Sequence, residues 1–280
     1  MEKLENIILK LGSIDRRIIF LIIGLAVLIP LLRPVDLPIR PGPSSQQVYD
    51  AIDSIPDNSK VLISFDYGPS TRPEIHPMTL GVMRQLLDQN RGHKIYVTCL
   101  WPDGLYMAKD ALKTINKEYT LEKYEDYVLL GFRPGYEAVI KGLENNLRAV
   151  YTVDADLTSI DDIPMMEGIN SLEDFDFIFS GSAGYPGSLE WVLYGPTTVP
   201  LSSGTTSIQV NEVLPYVQSG QLKGILAGMP GAAEYEALVG KKGIATSGMA
   251  AQSYGHIVII LFIILGNLAY FIKERRERKY

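Results

Sequence analysis

The chain has 280 residues, of which 46% are hydrophobic and 21% charged, with one cysteine, three histidines and a formal net charge of −6. That length is ample for a buried core, the composition excludes a disordered chain, and one cysteine excludes an internal disulfide framework or a thiolate zinc site. The acidic balance argues against nucleic acid as a partner, because phosphate binding draws on Lys and Arg. The histidines, His76, His93 and His256, are too far apart for the common metal-ligand spacings, and neither a metal nor a cofactor is expected. The charge is unevenly spread: residues 1–32 carry +1 and residues 257–280 carry +3, so the middle holds −10.

Residues 1–17 form a short tail ending in two arginines. Residues 18–32, IIFLIIGLAVLIPLL, contain no charged side chain and are expected to form a first transmembrane helix. At 1.5 Å per residue the run covers about 22 Å against a hydrocarbon core of about 30 Å, a gap that snorkelling arginines and local thinning can close. The following RPVDLP offers no small-residue cleavage site, so the run reads as an uncleaved signal anchor. Residues 33–45 hold Pro34, Pro38, Pro41 and Pro43 and read as a stiff, extended spacer. Ser44 or Ser45 then offers an N-cap for a helix with Val48, Ala51, Ile52 and Ile55 on one face.

Residues 46–253 are expected to form one extracytoplasmic α/β domain. Short β-rich runs at 61–65, 95–99, 127–132, 175–179, 198–201 and 222–227 alternate with helical periods at 78–89, 105–116, 136–151, 188–194 and 210–219. This alternation predicts a doubly wound, mainly parallel, Rossmann-like sheet of about six strands with helices on both faces. Residues 254–272, with the apolar run IVIILFIILGNLAYFI from 257 onwards, read as a second transmembrane helix, and residues 273–280 as a basic tail. Positive charge beside both runs places both termini in the cytoplasm and the domain on the far side of the cell membrane.

Small polar residues follow most of the strand runs: Asp66, Ser70 and Thr71; Asp103; Arg133; Ser180 and Ser182; Ser203, Thr205 and Thr206; Gly228 and Gly231. In a parallel sheet these share the carboxyl edge, where such folds bind ligands and helix N-termini attract anions. They are the candidate site for a small anion. At the level of fold, the pattern resembles periplasmic solute-binding domains, which implies a ligand cleft. The plainer role of these residues is turn punctuation, since Gly181, Gly184 and Gly187 lack the dinucleotide spacing and no phosphate-binding loop motif occurs.

No catalytic set stands out. Ser182 is not in G-x-S-x-G, because position 180 is Ser. Asp154, Asp156, Asp161 and Asp162 lack the glycine and glutamate of a calcium loop and read as a solvated acidic loop. Cys99 reads as a small buried hydrophobe. Asp66 and Asp103 are the best carboxylate pair for acid–base work, with turn capping as their plainer role. In the second span, Gly266, Asn267 and Ala269 offer close approach and a polar contact to another helix. The expectation is therefore a non-enzymatic assembly component in the lipid bilayer, as a homo-oligomer or with other membrane subunits. A tethered anion sensor is the alternative, and a hydrolase or transferase centred on Asp66 and Asp103 the third.

Overall fold

The computed structural model describes residues 2–33, 38–88 and 90–278. Part of the expected spacer, residues 34–37, lies outside the described residues, as do Gln89 of the expected helix and the last two residues of the basic tail. The elements, in chain order, are α1 (Glu2–Gly12), α2 (Arg16–Leu32), α3 (Pro43–Asp53), β1 (Lys60–Asp66), α4 (Arg72–Asp88), β2 (Lys94–Cys99), α5 (Pro102–Glu118), β3 (Tyr127–Phe132) and α6 (Glu137–Val150). They continue with β4 (Phe177–Ser182), α7 (Ser188–Tyr194), β5 (Leu201–Thr205), α8 (Val210–Gln218), β6 (Leu222–Ala227), α9 (Gly228–Val239) and α10 (Ile244–Glu277). Two compact units result, one from Ile39 to Ala245 and one from the two chain ends.

The first unit is an α/β fold around a six-stranded, all-parallel sheet ordered β3-β2-β1-β4-β5-β6. This is the doubly wound order, in which the chain reverses its direction of travel between β1 and β4. Helices α4, α5 and α9 pack together on the sheet. On the opposite face Leu62, Tyr96, Val128 and Ile178 share a buried cluster with Leu143 and Leu147 of α6 and Trp191 of α7. Both sheet edges are closed. Ala155 N donates to Leu129 O of β3 at 2.9 Å, while Ser44 Oγ donates to Ile225 O of β6 at 2.8 Å and accepts from Ile225 N at 3.0 Å.

Three boundaries differ from expectation. Strands β4 and β5 run through Ser180–Gly181–Ser182 and Ser202–Ser203–Gly204–Thr205, which sequence pattern assigned to loops. The reason is close packing of α4 on the sheet. A Cβ on Gly181 would lie 2.7 Å from Thr79 Cγ2, and one on Gly204 would lie 2.7 Å from Met78 Sδ, so only small residues fit. Helix α4 starts at Arg72 rather than residue 78, because a proline is accepted in a first helical turn, whose amides have no partner, and the chain continues through Pro77. Helix α3 starts inside the expected spacer, with Pro43 in its first turn and Gly42 as N-cap, so Ser44 and Ser45 lie within it.

The second unit comprises α1, α2 and α10. Arg276 donates to Glu5 Oε2 at 3.1 Å and to Asn6 Oδ1 at 3.0 Å; Gly12 lies against Ala269, and a Cβ on Gly255 would sit 3.1 Å from Val27 Cγ2. Thus α1 and α2 run antiparallel to α10 in one continuous register. Among the described residues one helix, Ile244–Glu277, is long and apolar enough to cross a membrane. The expected first span does not reach that length. Its helix, α2, has 17 residues, and at 1.5 Å per residue is about 25 Å long. Asp15 caps its start by accepting from Arg17 N at 2.8 Å, which ends the apolar stretch there.

Candidate functional site

The register of the sheet brings Asp66 opposite Ser182, and Ser182 opposite Thr205, at the carboxyl edge. Asp66 is fully buried at the reversal point. Its Oδ1 accepts from Ser64 Oγ at 2.7 Å and Leu100 N at 2.8 Å; its Oδ2 accepts from Trp191 Nε1 at 2.9 Å and Ser180 Oγ at 3.4 Å. One carboxyl thereby fastens β1 to the end of β2, to β4 and to α7. Burial pushes its pKa up to about 7, against the opposing pull of these donors.

Trp101 packs against Gly184 and donates through Nε1 to Pro186 O at 2.7 Å. A Cβ on Gly104 would collide with the carbonyl of Phe65, so α5 begins directly against the end of β1. Asp103, expected to pair with Asp66, is exposed and lies beside Gly68, and no hydrogen bond joins the two carboxyls among the described residues.

Most of the other expected site residues are engaged within the chain, but Thr205 Oγ1 is buried with no hydrogen-bond partner among the described residues. Ser203 Oγ donates to Ser180 O at 2.9 Å and contacts Ser188 Oγ, while Ser182 Oγ donates to Gly184 O at 3.1 Å. Thr205 and Thr206 are buried. Arg133 donates to the carbonyls of Val150, Phe132 and Val153 and covers the Tyr151 ring at 4.5 Å. Ser70 and Thr71 form a short turn in which Thr71 Oγ1 donates to Gly68 O at 3.3 Å. Gly231 packs against Leu226, and Gly228, at φ 58°, packs against Ser207 and Glu74.

At two of these turns a backbone amide already faces a carboxylate of the chain. Glu74 Oε2 accepts from Ser207 N at 3.1 Å and Ser207 Oγ at 3.2 Å, and Glu190 Oε2 accepts from Gly187 N at 2.7 Å. In the helical unit, Ala269 is covered by Gly12, while Gly266 has open space beside it. Asn267 is exposed and donates through Nδ2 to Ile263 O of its own helix at 2.8 Å.

A second polar centre escaped sequence reasoning. A cavity of about 300 Å³, walled by Pro69, Pro73, Pro77, Leu80 and Ile244, also carries Arg72, His76 and Arg84. His76 is 2% exposed. Its Nδ1 is 2.8 Å from Tyr67 Oη, which in turn is 3.1 Å from Thr79 Oγ1, but Nε2 has no hydrogen-bond partner among the described residues. Asp110 Oδ2 lies 3.4 Å from Nε2 without hydrogen-bond alignment and accepts from Arg72 Nη2 at 2.6 Å. Burial, reinforced by Arg72, lowers the imidazole pKa to about 4, so the ring is neutral at ordinary pH. Arg84 donates through Nε and Nη2 to Glu118 at 2.9 and 2.7 Å. The signal was the spacing Arg72, His76, Leu80, Arg84, one helix face, hidden by the prolines of RPEIHP.

Compared with protein-family models, with curated proteins and with solved structures, the chain has no match in any of the three.

Proposed function

We propose that the chain is a membrane-anchored assembly component: an extracytoplasmic α/β domain tethered by two helices, acting through association with copies of itself or with other membrane subunits rather than by catalysis. One observation carries this reading. Phe20, Leu21 and Leu32 of α2, and Ile257, Ile260 and Ile263 of α10, each leave more than half of their surface uncovered. Water disfavours such side chains by roughly 1.5–3 kcal/mol apiece, so these faces belong in lipid or against other helices. The antiparallel register supports α2 as the second anchor, because it lays α2 beside the apolar part of α10. The basic ends support a topology with both termini in the cytoplasm. At the reversal point the Asp66 carboxyl, bonded to four donors of the chain, adds support to a structural role.

Native mass spectrometry of the full-length protein, gently extracted from its own membrane, tests this. The expected result is an oligomer or a complex with other subunits, and Asn267→Leu shifts it toward smaller species. A monomer without partners overturns the proposal.

A further inference from the structure

We propose that the cavity between α4, α5 and α9 binds a small amphiphilic carboxylate, with its apolar body against the prolines and its head at Arg72 and His76. This goes beyond the assembly reading and does not rest on it. About 300 Å³ is at the lower end of the range for ligand cavities, enough for a short acyl or aryl acid and too little for a lipid.

The wall chemistry selects the class. Pro69, Pro73, Pro77, Leu80 and Ile244 disfavour a purely polar ion such as phosphate. Hydrogen-bond donors outnumber acceptors at the head end. Arg72 uses one of its five N–H groups on Asp110, and Arg84 has its Nη1 group uncommitted among the described residues. His76 Nε2 is buried without a partner. When Tyr67 donates to Nδ1, the neutral ring carries its proton on Nε2, a buried donor without a hydrogen-bond partner in the cavity wall. Glu236, the one carboxylate in the lining, already accepts from Gly243 N at 2.8 Å and Ala245 N at 3.2 Å. A planar carboxylate matches the fork of a guanidinium and supplies the missing acceptors. Asp110 is its competitor for Arg72.

The test uses full-length protein in lipid nanodiscs, titrated with carboxyl-labelled hexanoate and read by carbon NMR, with protein-free nanodiscs as the blank. Saturable binding in the millimolar range or tighter is expected. Arg72→Gln, at a half-exposed side chain, weakens it by roughly tenfold or more, and Asp110→Asn tightens it. Leu80→Trp fills the cavity and abolishes binding. Hexanol binds at least roughly tenfold more weakly than hexanoate. A titration that never saturates overturns the site. Saturable binding indifferent to Arg72→Gln and Asp110→Asn overturns it too, even if Leu80→Trp fails to fold. Hexanol binding as tightly as hexanoate overturns the carboxylate class.

Discussion

Two buried titratable groups stand on opposite sides of the same sheet segment and are treated in opposite ways. Asp66, at the reversal point of the sheet, receives four donors. His76, on α4, has one ring nitrogen tied to Tyr67 and the other unpartnered beside a cavity. A buried polar group that is fully bonded contributes to a unique fold, whereas one left unbonded carries a desolvation penalty that a ligand can relieve. Topology alone would place the ligand at the reversal point. The site proposed here lies instead on the α4 face, beside the unpartnered Nε2 of His76.

The largest effect should come from breaking the closed centre. Asp66→Ala strands the indole N–H of Trp191 and the amide of Leu100 in a water-free site, and should destabilise the α/β unit by about 3–5 kcal/mol. Trp191 donates to this carboxyl and is one of the two tryptophans of the chain, so a thermal melt followed by tryptophan fluorescence reads the centre. The loss should exceed that for Arg84→Gln, whose partner Glu118 is a partly exposed carboxylate.

The two groups also oppose each other with pH, which sharpens the contrast. Burial raises the Asp66 pKa from 3.8 to about 7, so the folded state holds a proton that the unfolded chain has released. Its contribution to stability is present below about 4 and is lost as pH rises to about 7. His76 falls from 6.5 to about 4, so the unfolded chain takes up its proton first. Its contribution is present above 6.5 and is lost as pH falls toward 4. Between these limits the slopes, each at most about 1.4 kcal/mol per pH unit, run against one another and the native protein should show a nearly flat profile. Asp66→Asn should uncover a stability that climbs from pH 4 to 6.5, and His76→Gln one that declines over the same window. Melts at several pH values decide this; parallel profiles for the two variants would refute the assignment.

Much of the fold was legible because apolar strands punctuated by helical periods leave a strong trace. The runs at 127–132 and 222–227 coincide with β3 and β6, and residues 188–194 coincide with α7. What sequence pattern missed was small or proline-rich. Ser180–Ser182 and Leu201–Thr205 are buried central strands without an apolar run, because α4 packs too closely for larger side chains. The role of Asp66 as a fastener depends on Trp191, 125 residues away, and no local spacing announces such a partner. His76 and Arg72 were passed over because RPEIHP reads as a loop, although Pro73 falls in the first helical turn and Pro77 one turn further. The long apolar helix α10 was legible from its apolar run; for α2, the cap at Asp15 sets a limit that hydropathy does not register.

A gentler substitution strengthens a sheet margin argument. Ser44 completes β6 by both donating to and accepting from the backbone of Ile225. Ser44→Ala should lower stability by about 1 kcal/mol, since water can replace part of the lost pair at the sheet margin. Amide hydrogen exchange at Ile225 should accelerate without a matching change at β1, where the ladder is internal.

The smallest expected effect bears on why the middle of the chain is so acidic. The turns after the strands carry free amides, which in other sheets of this order attract anions. Here Glu74 serves Ser207, Glu190 serves Gly187, and Glu234 serves Gly42 at 3.0 Å and Ser45 at 2.7 Å. Two turns after strands, at Ser207 and Gly187, thus already hold a carboxylate of the chain. If this is the correct account, removing one carboxylate should create the missing site. Glu74→Ala frees the Ser207 amide and hydroxyl, and inorganic phosphate should then stabilise the variant by less than about 1 kcal/mol while leaving the native protein unchanged. Equal phosphate effects on both would show that Glu74 does not stand in for an anion, and would return the carboxyl-edge turns to contention as a ligand site.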